Sequence, residues 1–215
     1  MKKGVELATN KERAQGTGRR EQIVTTTISL LSRYGLTGTT TARIARDVGI
    51  SEPALYRHFL NKEEIILAAL DSVSGNLISH MYEASLRVEN IPGKIHEMSA
   101  GLYEFVMSHP EEAAVLFEVF SASRDTHLKQ SLQDMFLGSM GVMEQLLREG
   151  IKNGDVYADI DVELTAWKIM SLGITLNFAA MLGLNHILTE DRALSAVDQL
   201  LEDISTKSEE RRVSG

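Results

Sequence analysis

Apolar residues in this 215-residue chain recur three and four positions apart, and nowhere do apolar and polar residues alternate long enough to make a convincing sheet. Such spacing lines side chains up on one face of a helix. The clearest instance is Ile66, Leu70, Val73, Leu77 and Met81, at intervals of 4, 3, 4 and 4. Prolines, which break helices, occur only at 53, 92 and 110. The fold class is therefore read as all-α. A 43% hydrophobic content is enough to give these helices a sizeable core.

The boundaries follow from caps and breakers. A first helix is expected from about Arg19 to Tyr34, with Ile23, Thr27, Leu30, Leu31 and Tyr34 on one face and Gly35 as its stop. Thr39 or Thr40 caps a second helix to Val48, and Gly49 ends it. Ser51 caps a third, over by about Phe59, with Pro53 tolerated in its first turn. Asn61 and Glu64 have the spacing of a cap for a long helix from 62 to about 87. Ile91-Pro92-Gly93 reads as a break. Further helices are expected near 93–108, 111–122, 127–152, 161–183 and 190–205. The 161–183 segment is apolar nearly all round and should be buried. With the stripe Leu194, Val197, Leu201 and Ile204, it suits either a monomer core or half of an intermolecular bundle.

Several function classes drop out. With no cysteine, disulfides and thiolate metal sites are excluded. The first twenty residues lack the apolar stretch of a secretory signal. No run of about 18 apolar residues exists, so no membrane span is expected. His80, His96, His109, His127 and His186 are scattered. Neither Asp125-Thr126-His127 nor His96-Glu97 has metal-ligand spacing, and there is no phosphate loop or nucleophile elbow. Neither catalysis, a cofactor nor a metal is expected. A cytoplasmic location is.

The net charge of −8 conceals a division. Residues 1–62 hold eleven Lys/Arg against five acids, and the rest holds eleven against twenty-five. A basic end on an acidic body points to one end that meets a polyanion. The three short helices of that end have helix-turn-helix spacing: Ile44-Ala45, then Gly49 at the turn, then Ile50-Ser51 and an inward Leu55. Leu55 and Phe59 face the other helices, which turns Glu52, Tyr56 and Arg57 outward. The second helix of such a motif enters the DNA major groove.

Residues 39–63, TTTARIARDVGISEPALYRHFLNKE, resemble the DNA-binding domain of the TetR family of bacterial transcriptional regulators. The matching landmarks are Thr40 four before Ile44, Gly49-Ile50-Ser51, Leu55-Tyr56, His58-Phe59 and Asn61-Lys62-Glu63. The motif match covers about residues 20–65, and the remainder resembles the family in architecture. The resemblance implies a flexible basic arm (1–18), a helix-turn-helix domain (19–64), a ligand-binding and dimerisation domain (65–207) and a flexible tail (208–215).

Roles carried over from the resemblance fall on particular residues. Thr40 or Thr41, Tyr56, His58 and Lys62 would meet phosphates, and Ser51, Glu52, Pro53, Ala54 and Arg57 would lie nearest the bases. Arg57 has the geometry to read guanine. Glu52 either accepts from cytosine or repels phosphate to enforce register. Arg43 and Arg46 are electrostatic helpers. Tyr56 and His58 also have core-packing readings, and for His58 the two stay open. The family further implies a homodimer on a palindromic duplex, joined through helices 161–183 and 190–205. It also implies a pocket for a small-molecule effector. Candidate liners are Met107, Leu116, Phe117, Phe120, Met135, Met140, Met143, Trp167, Met170 and Phe178, each equally at home in an ordinary core. Control by a protein partner, with no effector, is the alternative.

Overall fold

A computed structural model describes the backbone of residues 2–121 and 126–206, and the side chains of 18–118 and 128–206. Its helices are α1 (Lys2–Gly38), α2 (Thr41–Val48), α3 (Glu52–Leu55), α4 (Lys62–Ser85), α5 (Ile91–Ser108), α6 (Pro110–Ser121), α7 (Thr126–Asn153), α8 (Val162–Met181) and α9 (Glu190–Ile204). A 3-10 turn, Leu184–His186, lies between the last two. Among the described residues there is no strand, and one isolated bridge pairs Val156 with Ser205. The expected all-α architecture is what the chain adopts, with a helix-turn-helix at its N-terminal end. No helix among the described residues is long and apolar enough to cross a membrane.

The caps explain most boundaries. Thr40, Ser51, Asn61, Asn90 and Asp161 each accept from a backbone N–H in the first turn of the helix they precede. Gly49, at φ 77°, closes α2 with its N–H on Arg46 and the Ile50 N–H on Ala45. Glu64 reaches back to the Leu60 N–H at 2.6 Å, completing the capping exchange with Asn61.

Some expectations need correction. The first helix begins at Lys2 rather than near Arg19. It also does not stop at Gly35 but kinks there (φ 65°, ψ −179°) and continues to Gly38. Ile91-Pro92-Gly93 is not a break but the first turn of α5, where proline loses no intrahelical bond. The third helix is shorter than expected: after Leu55 the chain continues in turns, with His58 N–H on Leu55. The tail from 207 and the Asp125 segment lie outside the described residues.

Two cores form. The first joins Ile23, Leu31, Ile44, Leu55 and Phe59 to Ile65, Leu70 and Val73 of α4, and onward to Phe105, Val115, Leu116, Leu128 and Leu132. Each large side chain buried there contributes about 1.5–3 kcal/mol. The second gathers Ile91, Ile95, Met140, Met143, Leu147, Ala166, Ile169, Val197, Leu201 and Ile204. Val197, Leu201 and Ile204 of the α9 stripe are thus spent inside the chain. The expected burial of α8 is met on one face alone, through Thr165, Ala166, Ile169, Leu176 and Ala179. The other face exposes Leu164, Trp167, Ser171, Ile174, Phe178 and Met181, at intervals of 3, 4, 3, 4 and 3.

Candidate nucleic-acid interface

The head presents α3 because its neighbours hold it from behind. Leu55 and Phe59 are sunk in the first core, and Ser51 and Pro53 stand outside. Helical geometry then turns Tyr56 and Arg57 to the surface, Tyr56 being 46% exposed. Among the described residues the Arg57 guanidinium has no hydrogen-bond or ion-pair partner. Ala54 and His58 are half-buried, and His58 sits at the rim between exposed Arg57 and buried Phe59.

The other polar residues of the head are partly engaged with one another. The Thr41 hydroxyl donates to the Glu52 carboxylate, tying α2 to α3. Glu52 is therefore a strut between the two helices. Thr40 caps α2 and is exposed, leaving its outer side open. Arg43 lies over the Tyr34 ring at 4.2 Å and donates to the Gly38 carbonyl at 2.7 Å, so it braces α2 against the end of α1. Arg46 pairs with neighbouring Asp47 at 2.8 Å. The Lys62 ammonium donates to the Leu36 carbonyl at 2.9 Å, and partial burial pushes its pKa below the ordinary lysine value. Arg20, which sequence reasoning passed over, covers the Phe59 ring from outside at 4.6 Å.

This arrangement offers an exposed hydroxyl and an unpaired guanidinium on a short helix whose orientation is fixed by buried apolar contacts. It can bond phosphates and base edges, and it presents no set of groups for covalent chemistry. Among the described residues no three His, Asp or Glu side chains gather to hold a metal. His80 and His96 are instead paired across helices, with Glu104 at 3.4 Å and Asp198 at 2.6 Å.

Residues 23–69 match the family model for bacterial regulatory proteins of the TetR family. The chain belongs to the TetR family. Its architecture agrees with solved members. The regulator FadR from Bacillus subtilis, crystallised with stearoyl-CoA, superposes with a TM-score of 0.70 at 20% identity, over 85% of this chain and 95% of that one. A TetR-family regulator from Cytophaga hutchinsonii gives 0.75 at 18% identity, over 89% and 97%. At such identities the likeness is one of fold. By sequence, the nucleoid occlusion factor SlmA of Haemophilus influenzae is 36% identical over 100 residues, or 46% of this chain and 45% of that protein. The match spans about half the length of these curated relatives.

The candidate effector-lining residues of this TetR-family chain fall in more than one cluster. Leu116 and Met135 belong with the first core, and Met135 sulfur accepts from Ser74 at 3.1 Å. Met140, Met143 and Met170 belong with the second. Phe117 meets Phe178 with ring centres 5.9 Å apart, and Met107 lies 3.8 Å from the Asn185 amide. Trp167 packs on Phe136 at 5.4 Å yet is 45% exposed. The Phe120 side chain lies outside the described residues. Asn177 was missed as a candidate: its buried side-chain oxygen has no partner among the described residues. Its signal was present, since it interrupts the apolar run of α8.

Proposed function

We propose that this chain is a transcriptional repressor that binds a palindromic operator as a homodimer in the cytoplasm and lets go when a small, largely apolar molecule enters its C-terminal domain. The observation that carries the DNA-binding part is the exposed end of α3, where Tyr56 and unpartnered Arg57 stand on a rigid head. Two such helices about 34–36 Å apart would read two half-sites. The exposed 3-4 spacing on α8 supports a helix-on-helix seam between two copies, with α9 alongside. Competition between effector and DNA then follows from linkage: a molecule favouring wrongly spaced heads weakens DNA, and DNA weakens that molecule equally. The long helix α4 joins head to C-terminal domain and is the natural lever.

Asn177 supports an effector that is apolar but carries one hydrogen-bond donor. A buried acceptor left unpaired costs about 1–3 kcal/mol, which a bound donor would offset. Because FadR was crystallised with stearoyl-CoA, long-chain acyl-CoAs are the first probes. Stearoyl-CoA, free fatty acids or aromatic acids should raise the melting temperature and release DNA. Stabilisation by polar or metal ligands alone would overturn the apolar reading. Control by a protein partner is the second reading. It is favoured by Ile78 and Tyr82 on the outside of α4 and Leu86 at its C-terminal cap, which stand 58–65% exposed.

At the head, Tyr56→Phe removes a hydroxyl assigned to phosphate and should weaken binding several-fold on every duplex tested. Arg57→Ala should instead relax preference at one or two base pairs, by about 1–3 kcal/mol of discrimination. Binding of a randomised duplex pool, sequenced after selection, separates the two effects. If neither variant changes affinity or preference, the face has been misassigned.

A further inference from the structure

Four backbone groups at the end of α1 are held by partners outside its own helical ladder. The Gly35 carbonyl accepts from both the Thr39 N–H and the Thr39 hydroxyl, at 3.1 and 2.8 Å. The Leu36 N–H donates to Glu118 of α6 at 2.8 Å. The Leu36 carbonyl accepts from Lys62 at the start of α4, and the Gly38 carbonyl accepts from Arg43 of α2. Residue 36 is thus bonded to both α4 and α6. We propose that Leu36 is the joint that fixes the angle of the DNA-reading head on the C-terminal domain, with Glu118 as the positioning residue on the C-terminal side. This rests on the reading of the head as the DNA-binding end.

Three features make the contact a constructed one. The kink at Gly35 turns the Leu36 N–H out of the helical ladder, so it needs an acceptor from elsewhere. Glu118 comes so close that a Cβ on residue 35 would lie 2.6 Å from its oxygen, a space that glycine alone leaves open. The acceptor is an acid, and a hydrogen bond to a charged oxygen is the stronger kind. A second tie, Arg33 to Glu111 at 3.6 Å, joins the same two helices but is exposed on both sides and adds little. A shift of α6 against α4 must therefore pull the two bonds on Leu36 in different directions. The short segment between Leu36 and the Thr40 cap passes that strain to α2 and α3. This gives α6 its own route to the head beside the lever of α4.

The test uses the full-length protein and a duplex that the wild type itself selects from a random pool. Failure to select any duplex would sink the DNA-binding reading and leave the joint to be judged by exchange alone. Glu118→Ala should weaken binding to that duplex about tenfold. Amide exchange should quicken around residues 34–42 while α8 and α9 exchange as in the wild type. Glu118→Gln keeps an acceptor oxygen and should stay within about threefold of the wild type. Combining Glu118→Ala with Lys62→Met should weaken binding by less than the product of the single effects, because both act on one joint. The proposal is overturned if Glu118→Ala binds and exchanges like the wild type. It also falls if Glu118→Gln matches Glu118→Ala, which would mean the charge pairs with a cation instead, or if exchange rises equally throughout the chain.

Discussion

Replacing Gly35 with alanine is expected to lower stability by about 2–4 kcal/mol. In a chain of this size that is a drop in melting temperature on the order of 5–15 °C. Two costs combine. At φ 65° and ψ −179° the backbone lies in a region essentially reserved for glycine, costing about 1–3 kcal/mol for any other residue. The new methyl would also displace the Glu118 carboxylate from the Leu36 N–H. Gly49 supplies the control. It too has a positive φ, of 77°, but a Cβ there meets nothing within 4 Å, so Gly49→Ala should cost only about 1–2 kcal/mol. Thermal or urea melts of the two variants side by side decide the matter. Equal losses would show that the close approach of Glu118 contributes nothing.

Ile174→Glu should convert a dimer into a monomer and reduce operator affinity at least about 100-fold. Ile174 is 53% exposed and lies outside both cores, so the folded chain has little reason to notice the change. At a two-fold seam the substitution appears twice, and each carboxylate would be buried opposite apolar side chains such as Phe178 and Trp167. Sedimentation at micromolar concentration, with a circular dichroism melt to check folding, reads the outcome. A variant that still sediments as a dimer would move the seam away from α8. A wild type that sediments as a monomer would remove the seam altogether.

What the sequence revealed and what it hid divide along the reach of the interactions. Thr40, Gly49, Ser51 and Asn61 act within four or five residues of their partners, and their cap and turn roles could be read directly. The outward turn of Tyr56 and Arg57 followed from Leu55 and Phe59 pointing in. Contacts between distant residues left no local trace. Lys62 reads as a cation for phosphate, and the sequence holds no sign that its ammonium also reaches a carbonyl twenty-six positions earlier. Glu118 carries no local signal at all, yet it serves a residue eighty-two positions away. Gly35 was legible as a punctuation mark, but a stop and a kink ask the same thing of glycine, and tertiary contacts choose between them. The apolar run of α8 promised burial without saying in which molecule. Within one chain half of that surface stays open.

The continuity of the first core bears on how such proteins can be recombined. Ile23, Leu31 and Phe59 share one apolar cluster with Phe105, Val115 and Leu132. A chimera that swaps in a foreign reading head by cutting between residues 64 and 65 would therefore inherit a mismatched jigsaw under α4 and α6. A graft that also carries α4 and the facing side chains of α5 and α6 should retain solubility and cooperative melting. If the proposed reading of α3 holds, DNA specificity should be easiest to exchange between relatives through its few exposed positions, where nothing beneath has to be refitted.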